Sequence, residues 1–191
     1  ARALSRQLLS FARGNAPVSG PANAARLIEE TVEFSLSGSN LVIRTELEDG
    51  LWPCLIDEVK LSQVLNNLLV NAKQAMPDGG SVTVRGENIE IARESGLPLE
   101  AGSYLRIDIE DTGCGIEPAH LRRIFDPYFT TKREGTGLGL ANCRTILRQA
   151  RGHILAKSEP GDGTVFELFI PAAPDAGIEE VEESAPVVYT G

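Results

Sequence analysis

The 191-residue sequence predicts a two-layer α/β sandwich, in which a mixed, mostly antiparallel sheet packs on three helices. Three observations carry that expectation. In "DEVKLSQVLNNLLVNAKQAM", residues 57–76, Val64, Leu65, Leu68, Leu69, Ala72 and Ala75 form a helical stripe. In "GSYLRIDIED", residues 102–111, Leu105, Ile107, Ile109 and Asp111 share one strand face while Arg106, Asp108 and Glu110 share the other. "GHILAKSE" and "TVFELFI", joined by the turn "PGDG", read as a closing hairpin. Helices interspersed among such strands cover one face of a sheet.

In order along the chain, Leu4, Leu8 and Phe11 recur at helical spacing before Gly14 and Pro17 stop the pattern. A lone helix of that length is marginal in water, so it is expected to pack on another copy or on a helix upstream. "ANAARLIEETVEFSL" reads as a helix, "LVIRTEL" as a strand, and residues 51–56 as a second short strand. Asp57 is placed to cap the long helix. "PDGG" is a turn, and "SVTVRGENIEIA" pairs with residues 102–111. Residues 112–136 are too long and too rich in Gly, Pro and Thr for an ordinary connection, which marks a functional loop. "GLGLANCRTILRQA" is helical. From Pro171 the chain is rich in Pro, Ala and Glu and lacks material for a core.

Composition narrows the function classes. The net charge is −9, but residues 172–191 contribute five acids and no Lys or Arg, so the remainder stands at −9 + 5 = −4. That balance gives no support to nucleic-acid binding or to broad anionic-membrane binding. Three scattered cysteines, Cys54, Cys114 and Cys143, make neither a disulfide framework nor a zinc site and fit a reducing, cytoplasmic setting. No apolar run approaches the roughly 18 residues of a membrane span. The chain opens within a pattern, as a fragment of a longer, conceivably membrane-tethered, protein would.

Chemistry concentrates in three places. Gln63, Asn67 and Asn71 recur every four residues on one face of the long helix. Amide oxygens there suit Mg²⁺, which favours hard oxygen ligands shared with phosphates. The same spacing also describes a solvated polar face. Asp111 ends an apolar strand face beside Gly113 and Gly115, and a buried carboxylate needs a donor, such as an exocyclic amine. A capping Asp before a tight turn is the alternative. Finally, "GTGLGL" places Gly135, Gly137 and Gly139 just ahead of a helix, where unpaired N–H groups bind anions. It is neither a dinucleotide fingerprint nor a P-loop, because no βαβ unit surrounds it and no Lys-Ser/Thr follows. Thr164 faces inward with Phe166, Leu168 and Ile170.

Taken together, these motifs resemble the catalytic domain of sensor histidine kinases. "LSQVLNNLLVNAKQAM" is similar to their N box, "DTGCGI" and "GTGLGL" to their glycine boxes, "IFDPYFTTK" to their F box, and "GDGTVFELFIP" to their closing strand. The likeness runs from about Ala22 to Pro171 and implies the Bergerat ATP-binding sandwich, with ATP and Mg²⁺ as cofactors. It implies that Asn71 coordinates Mg²⁺, that Asn67 assists near the phosphates, and that Asp111, with a water and Thr164, accepts from the adenine amine. Gly113, Gly115 and Ile116 would shape the purine pocket. Residues 118–136 would form the ATP lid, anchored by Phe125 and Phe129. Gly135, Thr136, Gly137, Leu138 and Gly139 would meet the phosphates. Gln74 stands where many relatives carry a phosphate-contacting Lys, and Lys132 is either a further phosphate contact or a solvated loop lysine.

Hydrolytic relatives place a Glu where this chain has Asn67. An amide is no useful base at neutral pH, so the resemblance points to γ-phosphate transfer onto a histidine in two-component signalling, with an ATP-hydrolysing enzyme as the alternative. His120 and His153 are the only histidines, and neither lies in a phosphoacceptor context. The implied organisation is therefore residues 1–16 as the end of a dimerisation and phosphotransfer hairpin, 17–171 as the catalytic domain, and 172–191 as an acidic linker or disordered tail. The implied partners are a phosphoacceptor hairpin of the same protein, a second copy in a full-length homodimer, and a response-regulator receiver domain, fused downstream if the protein is a hybrid kinase. No nucleic acid is among them.

Overall fold

The computed structural model describes residues 22–132 and 135–175. The helix expected over 1–16, Arg133 and Glu134 of the loop, and most of the acidic tail lie outside them. Helix α1, Ala24–Leu36, begins where the side chain of Asn23 accepts from the Arg26 N–H. Strand β1, Leu41–Leu47, follows. Asp57 caps helix α2, Glu58–Ala75, by accepting from the Lys60 N–H at 3.0 Å. Strands β2, Gly80–Ile91, and β3, Gly102–Asp111, come next. The loop after β3 holds a four-residue helix α3, Pro118–Leu121. Helix α4, Gly139–Gln149, leads to strands β4, His153–Glu159, and β5, Gly163–Pro171.

The strands form one sheet in the order β1-β2-β3-β5-β4. Only β1 and β2 run parallel, which the long crossover through α2 permits; the other pairs are antiparallel. The apolar stripe of α2, from Leu61 to Ala72, is buried against the inner sheet face, where Leu105, Ile107, Ile109, Phe166, Leu168 and Ile170 meet it, and α1 and α4 complete the layer. On the outer face Arg106 pairs with Glu87, Asp108 and Glu167, and Arg85 with Glu46 and Glu110. The mixed sandwich with three covering helices is thus the one expected.

One expectation needs correction. Residues 51–56 are not a strand. Pro53 has no N–H to give a ladder, and Cys54 makes only isolated bridges to Ala22 and Ala172. Within the long loop, Pro118 starts the single turn of α3. Among the described residues no helix is long and apolar enough to cross a membrane.

Candidate functional site

The site is built on one transverse row of the sheet. Register aligns Val82 on β2 with Asp111 on β3, Asp111 with Thr164 on β5, and Thr164 with Ser158 on β4. Residues paired across strands share a face, so the three polar groups point together toward the helices. Asp111 is 4% exposed. Its Oδ1 accepts from the Gly113 N–H at 2.9 Å, so this acid does cap its own turn, as the simpler reading held. No side-chain donor reaches it among the described residues. Burial raises its pKa, against the pull of the Gly113 and Thr164 N–H groups and the charge of Lys132.

Ser158 escaped the sequence reading. Its hydroxyl donates to the Gly163 carbonyl at 2.6 Å and accepts from the Ile116 N–H at 2.9 Å. Its one proton is thereby used, so the 3.0 Å contact with Thr164 has the threonine donating. The lone pairs of Thr164 Oγ1 are left to accept from outside. Hairpin arithmetic could have found Ser158, because pairing across "PGDG" sets it opposite Thr164. Ser158→Ala removes all three bonds and leaves the half-buried Ile116 N–H without its acceptor. The expected loss is about 1–3 kcal/mol of stability, or several degrees in melting temperature by calorimetry.

The first glycine loop is clamped on both sides. The Cys114 N–H donates to the Ala75 carbonyl at the end of α2, and the Gly161 N–H to the Cys114 carbonyl. Gly115 has φ +68°, and a Cβ there would fall into the Glu159 carbonyl; on Gly163, φ +89°, it would fall into that of Asp111. The freedom of Gly115 thus serves packing against the β4–β5 turn. A Cβ on Gly113 would press on Ala75 at 2.7 Å.

Helix α2 brings its amides to the second glycine box and the lid. Asn67 Oδ1 lies 4.0 Å from where a Cβ of Gly139 would sit, while its Nδ2 donates weakly to Cys143 Sγ at 3.7 Å. One turn on, Asn71 Oδ1 and Gln74 Oε1 both accept from the Lys132 ammonium, at 3.1 and 2.6 Å. Those two oxygens therefore already converge on a cation. Burial lowers the pKa of Lys132, and nearby Cys114 and Asp111 oppose the shift. Phe125 and Phe129, in the loop between β3 and α4, pack on the core. Arg123 lies over the Phe129 ring at 4.7 Å, and the His120 ring meets it tilted by 56°, with centroids 5.6 Å apart. His153 opens β4 at the far end of the sheet.

Gly135, Thr136 and Gly137 run into Leu138, the N-cap of α4, which offers no capping side chain. The first helical bond is Asn142 N–H to the Leu138 carbonyl. The N–H groups of Gly139, Leu140 and Ala141 have no backbone acceptor among the described residues. A cavity of about 560 Å³ opens there, lined by Gln63, Asn67, Thr136, Leu138, Gly139 and Asn142. A larger cleft, about 1340 Å³, lies at the opposite end of the sheet.

A buried strand-end acid, a helix N-terminus rich in unpaired N–H groups and a cation-binding amide pair, on a two-layer sandwich, define the class of Bergerat ATP-binding domains. The chain belongs to the histidine kinase-, DNA gyrase B- and HSP90-like ATPase family, which residues 56–174 match. It is 36% identical to the sensor kinase CckA of Brucella abortus over 98% of this chain and 20% of that protein. Its fold is similar to the catalytic domain of histidine kinase ThkA, with a TM-score of 0.62 and 29% identity over 80% of this chain and 95% of that one. It is also similar to full-length ShkA in complex with AMPPNP, with a TM-score of 0.65 and 27% identity over 90% of this chain and 36% of that one. The chain spans about a fifth to a quarter of the length of such curated relatives.

Proposed function

We propose that this chain is the catalytic part of a sensor histidine kinase, which holds Mg-ATP and passes its γ-phosphoryl group to a histidine on another element of a longer protein. The observation that carries the reading is the face of α2 toward the site: Gln63, Asn67, Asn71 and Gln74 are all amides, with no carboxylate among them. A site of this kind can position and neutralise phosphates but has no base on that face of the helix to activate water.

The residues fit the implied groups. Asp111, buried and short of side-chain donors, would accept from the adenine amine, and Thr164 would accept beside it directly or through a water. Gly113, Gly115 and Ile116, held by Ser158 and the β4–β5 turn, would form the rigid wall of the purine pocket. Asn71 Oδ1 would ligate Mg²⁺, with Gln74 beside it, since both oxygens already gather around an ammonium. Bound Mg²⁺ would neutralise phosphate charge as the phosphoryl group leaves. Lys132 would give up the amides and turn its charge to the phosphates, which Gly135, Thr136, Gly137, Leu138 and Gly139 would meet through backbone N–H groups. Asn67 would orient the terminal phosphate. In the transfer, the bond from the bridging oxygen to the γ-phosphorus breaks, a phosphorus–nitrogen bond forms on the imidazole, and ADP leaves. Full-length ShkA bound to AMPPNP supports the nucleotide assignment.

The histidine would lie on an upstream helical hairpin that also pairs two copies of the longer protein, and a receiver domain of a response regulator would take the phosphoryl group next. With γ-labelled ATP and Mg²⁺, the chain alone is expected to gain no label. Adding the hairpin of its longer protein should give acid-labile, base-stable label on the hairpin. Label on the chain alone, or steady release of inorganic phosphate at the same rate with or without the hairpin, would overturn the reading in favour of hydrolysis.

A further inference from the structure

The larger cleft is unrelated to the nucleotide site and is strongly cationic. It lies where β3 begins, β5 ends and α4 runs out. Arg144, Arg148 and Arg151 line it; Arg144 and Arg148 lie one turn apart on α4, and Arg151 stands just past its C-terminal end with φ +58°. None of the three has a carboxylate partner among the described residues, although other arginines of the sheet and helices are paired. Arg148 and Arg151 complement the negative end of the α4 dipole, while Arg144, mid-helix, lies over the Phe125 ring at 5.8 Å and has no anionic partner among the described residues. Glu100 is the one acid lining the cleft, and Leu55, half exposed, gives it an apolar patch.

The chain leaves the domain at the rim of this cleft. Pro171 and Ala172 line it, and the exit is pinned by Ala172 N–H to the Ser103 carbonyl and Ala173 N–H to the Pro53 carbonyl, both at 2.9 Å. The sequence that follows carries Asp175, Glu179, Glu180, Glu182 and Glu183 and no Lys or Arg. The eight residues that follow Asp175, ending at Glu183, can extend about 26 Å. Arg144 and Arg148 are about 6 Å apart along α4, and Arg151 follows three residues later. The acids therefore reach every guanidinium from a fixed starting point, and tethering gives them a millimolar-range effective concentration there.

We propose that the acidic run Glu179–Glu183 docks in this arginine-lined cleft of its own chain, away from the nucleotide site. The contact is polar and exposed, so it weakens as salt screens it. A nitroxide on Ser184→Cys, in the 191-residue chain with Cys114→Ser, tests this by NMR. Cys54 and Cys143 are buried with raised thiol pKa values, about 12 and about 11, and stay unlabelled. Amide signals of Gly102, Arg148 and Gly152 are expected to broaden selectively. The broadening should vanish at high salt and when Glu179, Glu180, Glu182 and Glu183 are all changed to Gln, variants that leave the sandwich untouched. Arg148→Glu with Arg151→Glu should abolish it too, with an unchanged circular dichroism spectrum. No broadening, broadening indifferent to the Gln substitutions, or broadening that grows with protein concentration, as docking on a second copy would give, each overturns the proposal.

Discussion

Asp111→Asn is expected to weaken nucleotide binding about 100-fold while raising the melting temperature of the nucleotide-free protein. Both effects follow from one buried carboxylate. In the free domain its charge is disfavoured by burial, so its pKa stands above the ordinary carboxylate value. A group of that kind binds its proton more tightly folded than unfolded. Its unfavourable contribution is therefore fully present at neutral pH and is relieved only as the pH falls through the raised value toward that of the unfolded chain. Asparagine removes the charge at every pH, and its Oδ1 can still accept from Gly113. Each kcal/mol relieved raises the melting temperature by about 2–4 °C in a domain of this size. The bound state loses more. A charge-assisted acceptor becomes a neutral one, and the new NH₂ group opposes the adenine amine, together about 3 kcal/mol. Calorimetric titration with an ATP analogue, beside thermal melts at pH 7 and pH 5, checks both arms. An unchanged affinity removes Asp111 from the purine pocket. A lowered melting temperature would mean that its charge stabilises the free fold.

Asn71→Ala is expected to abolish the Mg²⁺-dependent part of nucleotide stabilisation. At 100 times its dissociation constant a ligand adds about 2.7 kcal/mol to the native state. For the natural chain that gain should appear with AMPPNP and Mg²⁺ and shrink with EDTA. For the variant the two melts should coincide. The free fold should change little, because Lys132 keeps its 2.6 Å bond to Gln74 when the 3.1 Å bond to Asn71 is lost. A Mg²⁺-dependent shift that survives Asn71→Ala would move the metal to Gln74 or to the phosphates alone.

The fold was readable where periodicity is strong. The stripe from Val64 to Ala75 and the alternation from Leu105 to Asp111 each fix which residues face the core, and all of them are buried except Ala75, at the helix end, which is half-buried. The inward turn of Asp111 and Thr164 was readable for the same reason. Pairing was not, because a strand's own pattern does not name its neighbour. Ser158 therefore passed unnoticed until the β4–β5 register set it opposite Thr164. The placement of Lys132 on Asn71 and Gln74 joins residues some sixty positions apart, which no local pattern reports. Residues 51–56 misled because an apolar run resembles a strand until Pro53 is weighed against it. Gly115 illustrates a subtler gap. Its need for a left-handed backbone could be foreseen, but the atoms that demand it, at Glu159 and Pro160, belong to the protein.

The bridges at Cys54 have a consequence for how such a domain is built into larger proteins. Ala22 exchanges two backbone bonds with Cys54, and the stretch Pro53–Leu55 is tied on its other side to Pro171, Ala172 and Ala173. Entry and exit are therefore stapled to the same three residues. Segments joined before Ala22 and after Ala173 would therefore leave the domain from one place on its surface.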